Sequence, residues 1–316
     1  MTLICGVEEI RPGRKLFVWN FGIGDSSSSS ENNNKENVNL VLVHGTVASH
    51  YQYLTMCEQL KSCGLLVNDD NKRLSISVWV YDQVGCGESP RDPDPAAYSE
   101  NSQIDDFQHI MEKVDTSKPT FLCGHSYGPQ IIFKYLQSHP LQSLSGVILI
   151  STGFRDGPGP TFDGGPSIFR LPVILLKCLQ SSMTNSFLKL GLAKATSAKN
   201  PELLDLVRTE CNQNDMFVVK QYYSAMRWVS SFDARQAIGN SSDAAATRSV
   251  PSLVIHGIED GILPVESGQF VANQLQAESF VAIEHASHLV MIEQPQKVAQ
   301  AISNFLTSAI LKKKMI

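Results

Sequence analysis

From Asn39 to Leu311 the chain keeps returning to one pattern: a short apolar run, a turn, then a stretch whose apolar residues recur at helical spacing. The runs NLVLVHG, LSISVWVYD, TFLCGHS, LSGVILIST, VPSLVIHG and ESFVAIEH are too continuously apolar for strands with one wet face. Strands of that kind are covered on both sides. Helical patterns around Tyr51–Cys63, Ser99–Val114, after Gly128, around Glu266–Leu275 and near Pro295–Leu311 supply the cover. Such alternation predicts an α/β fold, a mostly parallel sheet with helices on both faces. Ahead of it, TLICGVEEI and KLFVWNFG flank the turn Arg11-Pro12-Gly13-Arg14 and read as an antiparallel hairpin.

Two segments interrupt the pattern. DSSSSSENNNKEN, Asp25 to Asn37, is polar and low in complexity, and is expected to be a mobile loop. From Gly153 to Arg248 a Gly/Pro-rich entry, GFRDGPGPTFDGGP, leads into several helical patterns. An insertion between two strands, set at their C-terminal edge, covers whatever site lies there. The expected division is a core of residues 1–152 and 249–316 with an inserted helical lid of residues 153–248. In the lid, LPVILLKCL lies near Arg170, Lys177, Lys189 and Lys194. Two readings stand for Ile174, Leu175 and Leu179: packing onto the domain beneath, or peripheral contact with an anionic membrane surface from which an acyl chain is admitted.

Composition limits the partners. A net charge of -5 with 26 basic residues, and the absence of any RNA- or DNA-binding motif, argue against a nucleic-acid partner. Seven cysteines, an odd number with no C-x-x-C pair, suit a reduced compartment. The first apolar run is too short for a signal sequence, and no run approaches bilayer-spanning length. The expectation is an intracellular protein, cytoplasmic or peripheral on an organelle membrane, and not secreted.

Gly124-His125-Ser126-Tyr127-Gly128 is weak evidence alone, since chance supplies a G-x-S-x-G in roughly one chain in ten of this length. Its setting is stronger: an apolar strand before it, and Ile131, Ile132, Tyr135 and Leu136 at helical spacing after it. A serine on a sharp strand-to-helix turn has an exposed hydroxyl, and small flanking residues let neighbouring chain pass close by. A nucleophilic serine needs a base, a carboxylate to orient the base, and N–H donors for the oxyanion. Asp260, in VIHGIEDGILP, is the acid candidate, favoured over Glu259 because Gly261 and Pro264 fix a turn that presents it. His288, in IEHASHLVMIEQP, is the base candidate; its rival His285 lies nearer the strand end and reads as structural. A metal reading of the two histidines lacks further ligands at suitable spacing, and no cofactor is implied. The backbone N–H groups of Tyr127 and Thr46 are the oxyanion donors, with His44 and Gly45 shaping the Thr46 loop and Gly124, His125 and Gly128 shaping the elbow.

LVHG, YDQVGCGES, GHSYG, HGIEDGILP and SHLVMIEQP occur in the order in which α/β-hydrolases carry such segments, and the chain resembles that superfamily over nearly its whole length. The resemblance implies an α/β-hydrolase fold and a serine enzyme that cleaves a carboxylic ester through an acyl-enzyme. It assigns Asp82, Gly85, Gly87 and Ser89 to a structural turn. GHSYG together with PSIFRLPVILLKCLQSSMTNSFLKLGLAK resembles the abhydrolase domain-containing protein eight group. That group is similar to relatives described as lysophospholipases, N-acyl phospholipid hydrolases or lysophosphatidate acyltransferases, which implies a small-molecule ester or lipid substrate. Acyl transfer and a non-catalytic regulator binding lipid or protein are the alternatives. The acyltransferase relatives carry His-x-x-x-x-Asp, where this chain has His288-Leu-Val-Met-Ile-Glu293.

Overall fold

The computed structural model describes residues 4–23, 35–63, 73–160, 163–239 and 250–315. The expected hairpin is present: β1 (Cys5–Arg11) pairs antiparallel with β2 (Arg14–Ile23), and Gly13 takes the positive φ of 74° that their tight turn requires. Next come β3 (Lys35–Val43), α1 (Tyr51–Ser62), β4 (Arg73–Tyr81), α2 (Glu100–Met111), β5 (Thr120–His125), α3 (Gly128–Ser138) and β6 (Leu144–Ile150). Residues 25–34 of the expected polar loop lie outside the described residues. Lys35 to Asn37 do not belong to a loop: they begin β3, paired with Arg73 to Ser75, because backbone pairing does not require apolar side chains.

Between β6 and β7 (Ser252–Gly257) lie α4 (Val173–Gly191), α5 (Lys194–Lys199), α6 (Pro201–Gln213), α7 (Met216–Ala225) and α8 (Ser231–Ala237). The chain ends with α9 (Val265–Leu275), β8 (Ser279–Ile283), the short α10 (Val290–Glu293) and α11 (Pro295–Met315). No helix among the described residues is long and apolar enough to cross a membrane.

The strands form one sheet in the order β1-β2-β4-β3-β5-β6-β7-β8, parallel from β4 through β8. Strand side chains alternate between faces, so the sheet builds two cores. Val41, Val43, Leu122, Val147, Leu149 and Val254 face a layer made by α2, α3, α8 and α9. Leu40, Leu42, Cys123, Ile148, Ile150 and Ile255 face α1, α10 and α11. The register aligns the carboxyl ends: Val43 with Gly124, His125 with Ile150, Ile150 with Ile255, Gly257 with Ile283. Loops leaving these ends converge on one edge, where open α/β sheets place their sites.

The β6–β7 segment divides in two. Ala234 and Ile238 of its last part join the core layer, and α8 packs between α3 and α9. In contrast, α4 lies across the loop ends. Leu176 packs in a cluster touched by Val47 after β3, while Leu190 and Gly191 carbonyls accept from Gly261 after β7 and from Ser287 and Leu289 after β8. Of the apolar residues in the stretch read two ways from the sequence, only Leu176 is fully buried; Ile174, Leu175 and Leu179 are 67%, 47% and 39% exposed. Packing therefore accounts for one side of the helix and not the other.

Candidate active site

Ser126 stands between β5 and α3 at φ 55°, a left-handed conformation costly for a residue with a Cβ. Two bonds hold it there: its N–H donates to Ile150 O at 2.9 Å, and its carbonyl accepts from Thr152 Oγ1 at 2.7 Å. The flanking glycines are required by space. A Cβ on Gly128 would meet Val43 O at 2.2 Å, and one on Gly124 would meet Pro129 N at 2.5 Å.

The Ser126 hydroxyl lies 3.0 Å from His288 Nε2, and His288 Nδ1 lies 2.9 Å from Asp260 Oδ2. Asp260 ends the turn after β7, where its Oδ1 accepts from the N–H groups of Ile262 and Leu263, both at 2.9 Å. Burial acts to raise the pKa of this carboxyl, but the electrostatic interaction with His288 and hydrogen bonds from His256 and His288 outweigh it and hold the group well below the ordinary range. An ionised Asp260 accepts a hydrogen bond from Nδ1–H, which leaves Nε2 as the acceptor facing Ser126. The three side chains picked from sequence are thus brought together in one hydrogen-bonded row.

Gly45 abuts the serine: a Cβ there would sit 3.1 Å from Ser126 Cβ and 3.0 Å from His125 Nδ1. The Thr46 and Tyr127 N–H groups have no hydrogen-bond acceptor among the described residues. His44 bonds to both sides of this loop: its Nε2 accepts from Gln83 N at 2.9 Å and its Nδ1 pairs with Gly45 O at 2.8 Å. Burial lowers the pKa of His44, which keeps the ring neutral and able to both donate and accept. The Tyr127 ring points away from Ser126, its hydroxyl accepting from Arg227 N at 3.1 Å and donating to Arg227 O at 3.2 Å.

The other candidates stand elsewhere. Glu259 accepts from Lys194 N at 3.2 Å, and His285 is exposed at φ 60° with Nδ1 3.7 Å from Glu259 Oε1. His285 is therefore a loop-surface residue rather than a packed structural one. Asp82 anchors a turn, accepting from His50 N at 2.6 Å, His50 Nδ1 at 2.8 Å and Glu88 N at 2.9 Å. Gly87 lies against it, since a Cβ there would meet Asp82 Oδ2 at 2.2 Å.

Two residues at the site take roles that the sequence does not reveal. His256, fully buried on β7, pairs its Nε2 with Leu263 O at 2.9 Å and stands 3.2 Å from Asp260 Oδ2. Its only trace in sequence is the spacing His256-x-x-x-Asp260, which has no meaning until the turn is folded. Glu293 accepts from Ser287 N and from Ala193 N, each at 2.7 Å, joining the loop before His288 to the start of α5. Burial raises its pKa, although both N–H groups and Thr196 favour the charged form. A cavity of about 700 Å³ opens between α1, α6 and the α10–α11 joint, with Leu54, Leu206 and Ile292 in its wall. Ser126, Asp260 and His288 do not line it, so its size carries no weight for the chemistry of the row.

Comparison with known proteins gives the family and the fold. Residues 34–295 match the family model described as Hydrolase_4, serine aminopeptidase, S33. Protein ABHD8 of Homo sapiens is 30% identical over 236 residues, 74% of this chain and 49% of the relative. The chain thus spans about half the length of the curated relatives of that name. A proline iminopeptidase of Saccharolobus solfataricus is 25% identical over 85% of both chains. A thermophilic esterase from Thermogutta terrifontis superposes with a TM-score of 0.68 at 20% identity, covering 98% of both, and shares the fold. With the strand order, the serine elbow and a family match over most of its length, the chain belongs to the Hydrolase_4 (serine aminopeptidase, S33) family of α/β-hydrolases.

Proposed function

We propose that this protein is a serine hydrolase that cleaves a carboxylic ester of a lipid or lysophospholipid through an acyl-enzyme, with α4 to α7 as the lid over its site. The observation that carries the reading is Ser126, held at φ 55° with its Oγ 3.0 Å from His288 Nε2. Ser126 Oγ passes its proton to His288 Nε2 as it attacks the ester carbonyl, while Asp260 stabilises the imidazolium. The oxyanion of the tetrahedral species takes hydrogen bonds from the Tyr127 and Thr46 N–H groups. His288 returns the proton to the departing alcohol. Water then gives its proton to the same Nε2 and attacks the acyl carbon; as the second tetrahedral species collapses, His288 returns that proton to Ser126 Oγ and the acid departs.

Apolar side chains support a lipid acyl group: Phe169, Leu176, Met216 and Val219 form a cluster against Val47, next to the Thr46 loop. Acyl transfer to an alcohol differs only in the acceptor, and the position where acyltransferase relatives carry aspartate is here Glu293, whose oxygens are engaged by Ser287 and Ala193. The proline iminopeptidase relative makes amide cleavage the competing reading. A fluorophosphonate probe tests the mechanism. The parent protein is expected to label at Ser126 and Ser126→Ala to stay unlabelled; labelling of both would remove the serine assignment. Turnover of an aminoacyl amide faster than of lysophospholipid and short esters would replace the ester reading.

A further inference from the structure

The outer face of α4 has no partner in the fold. Ile174, Leu175, Cys178 and Leu179 share one side of its first two turns, and all four are exposed. Leu176, one step around the helix, is fully buried with Phe169, Met216 and Val219, so the helix is seated and the exposed face does not result from poor packing.

Charge identifies what covers that face. From Gly164 to Pro201 the chain holds five basic residues, Arg170, Lys177, Lys189, Lys194 and Lys199, and no acidic one, within a protein whose net charge is -5. All five are exposed and none forms an ion pair among the described residues. The acids of the neighbouring α6 are placed away from the patch. That helix runs antiparallel to α4, with Gln180 bonded to Asn212 and Val207 packed on Leu188, so Glu202 and Asp205 fall at the far end of α4; at the near end Glu210 is half-buried in the cavity wall facing α1, and Asp215 is paired with Arg91 at 2.7 Å. Beside the apolar turns is α7, whose Lys220 donates to Leu171 O at 2.8 Å. An apolar helix face fringed by unpaired cations on an otherwise acidic protein has the chemistry of an interfacial helix on anionic lipid.

We propose that the first two turns of α4 dock this protein on an anionic bilayer surface, Ile174, Leu175 and Leu179 entering the headgroup region and Arg170 and Lys177 engaging lipid phosphates. The buried side of the same turns meets Val47, so the membrane lies about one helix diameter, roughly 10 Å, from the Thr46 loop. Docking is separate from hydrolysis and is measured on Ser126→Ala protein, so its failure and that of the ester reading are distinguishable.

The test is co-sedimentation with vesicles of phosphatidylcholine containing about 30% phosphatidylserine, compared with pure phosphatidylcholine. The parent binds the anionic vesicles more tightly, and added salt weakens the binding. The pair Ile174→Ser and Leu175→Ser lowers affinity at least about 10-fold, and the pair Arg170→Glu and Lys177→Glu on the order of 30-fold. Phe232→Ser, which removes a 56% exposed aromatic on α8, binds as the parent does. Melting temperatures check that every variant is folded. Three results overturn the proposal: a parent that leaves anionic vesicles in the supernatant, patch variants that bind as the parent does, or self-association that depends on the patch without vesicle binding.

Discussion

His125 donates from Nε2 to the main-chain carbonyl of His288 at 2.9 Å, so the residue before the serine holds the loop that carries the histidine facing that serine. The two rings lie 4.9 Å apart. Burial, followed by the proximity of His288, pushes the His125 pKa down to about 3, and the ring stays a neutral donor across the physiological range.

That neutrality makes stability depend on pH. In the unfolded chain His125 takes up a proton below about pH 6.5, whereas in the fold it does so only near pH 3. Its contribution is therefore present in full above about 6.5 and is lost as pH falls toward 3, by up to about 1.4 kcal/mol per pH unit. His125→Gln keeps an amide donor and cannot titrate. Urea midpoints for parent and variant are expected to converge between pH 7.5 and pH 5 (about the upper half of this window), with the parent losing more; parallel curves would refute the linkage.

Ser126→Ala and His288→Ala are each expected to lower kcat by about 10⁴ to 10⁶, and the double variant by no more than the worse single one, because nucleophile and base act as a unit. Multiplying losses in the double variant would show that the two act independently. Steady-state kinetics on a soluble ester reads this directly.

Gly128 and Gly45, both close-packed at the elbow, are expected to differ. Gly128→Ala drives a Cβ to 2.2 Å from Val43 O, a backbone atom with nowhere to move, and is expected to lower the melting temperature sharply or prevent folding. Gly45→Ala brings its Cβ to 3.0–3.2 Å from His125 and Ser126 atoms, where a shift of a few tenths of an ångström suffices. It is expected to fold and to lose at least about 10-fold in kcat through displaced oxyanion donors. Thermal melts with kinetics separate the outcomes.

Glu293→Ala leaves the Ser287 and Ala193 N–H groups without their acceptor, at a cost of roughly 1–3 kcal/mol for each that stays buried. Glu293→Gln keeps one acceptor oxygen and is expected to fall between parent and alanine variant in denaturant midpoint. Equal midpoints for all three would show that the brace contributes nothing.

The legible part of this fold is the part written in periodicity. Continuous apolar runs marked the strands, and Ser126, Asp260 and His288 were found because each follows a strand end at a turn with its own chemical signature. His256 was illegible for the opposite reason, since it acts on groups assembled from another turn and a lone histidine has no local pattern; the His288-x-x-x-x-Glu293 spacing was legible, but not the bonds by which Glu293 joins two loops. Lys35 to Asn37 were misplaced because composition records side chains, while a ladder is made by backbone. The exposed side of α4 was left open by the sequence, since an apolar stripe looks the same whether covered or bare.

Leu190 O accepts from both Gly261 N and Ser287 Oγ, and Gly191 O accepts from Leu289 N. The loop bearing Asp260 and the loop bearing His288 are thus both fastened to the last turn of α4. A transplant of the β6–β7 segment between relatives consequently exchanges more than a specificity module. It also replaces the main-chain acceptors that keep two members of the row in register, so a grafted segment must end its first long helix at the same height above the sheet. Chimeras joined after Leu192 keep the native fastening; those joined before Val173 stand or fall on the donor's helix length.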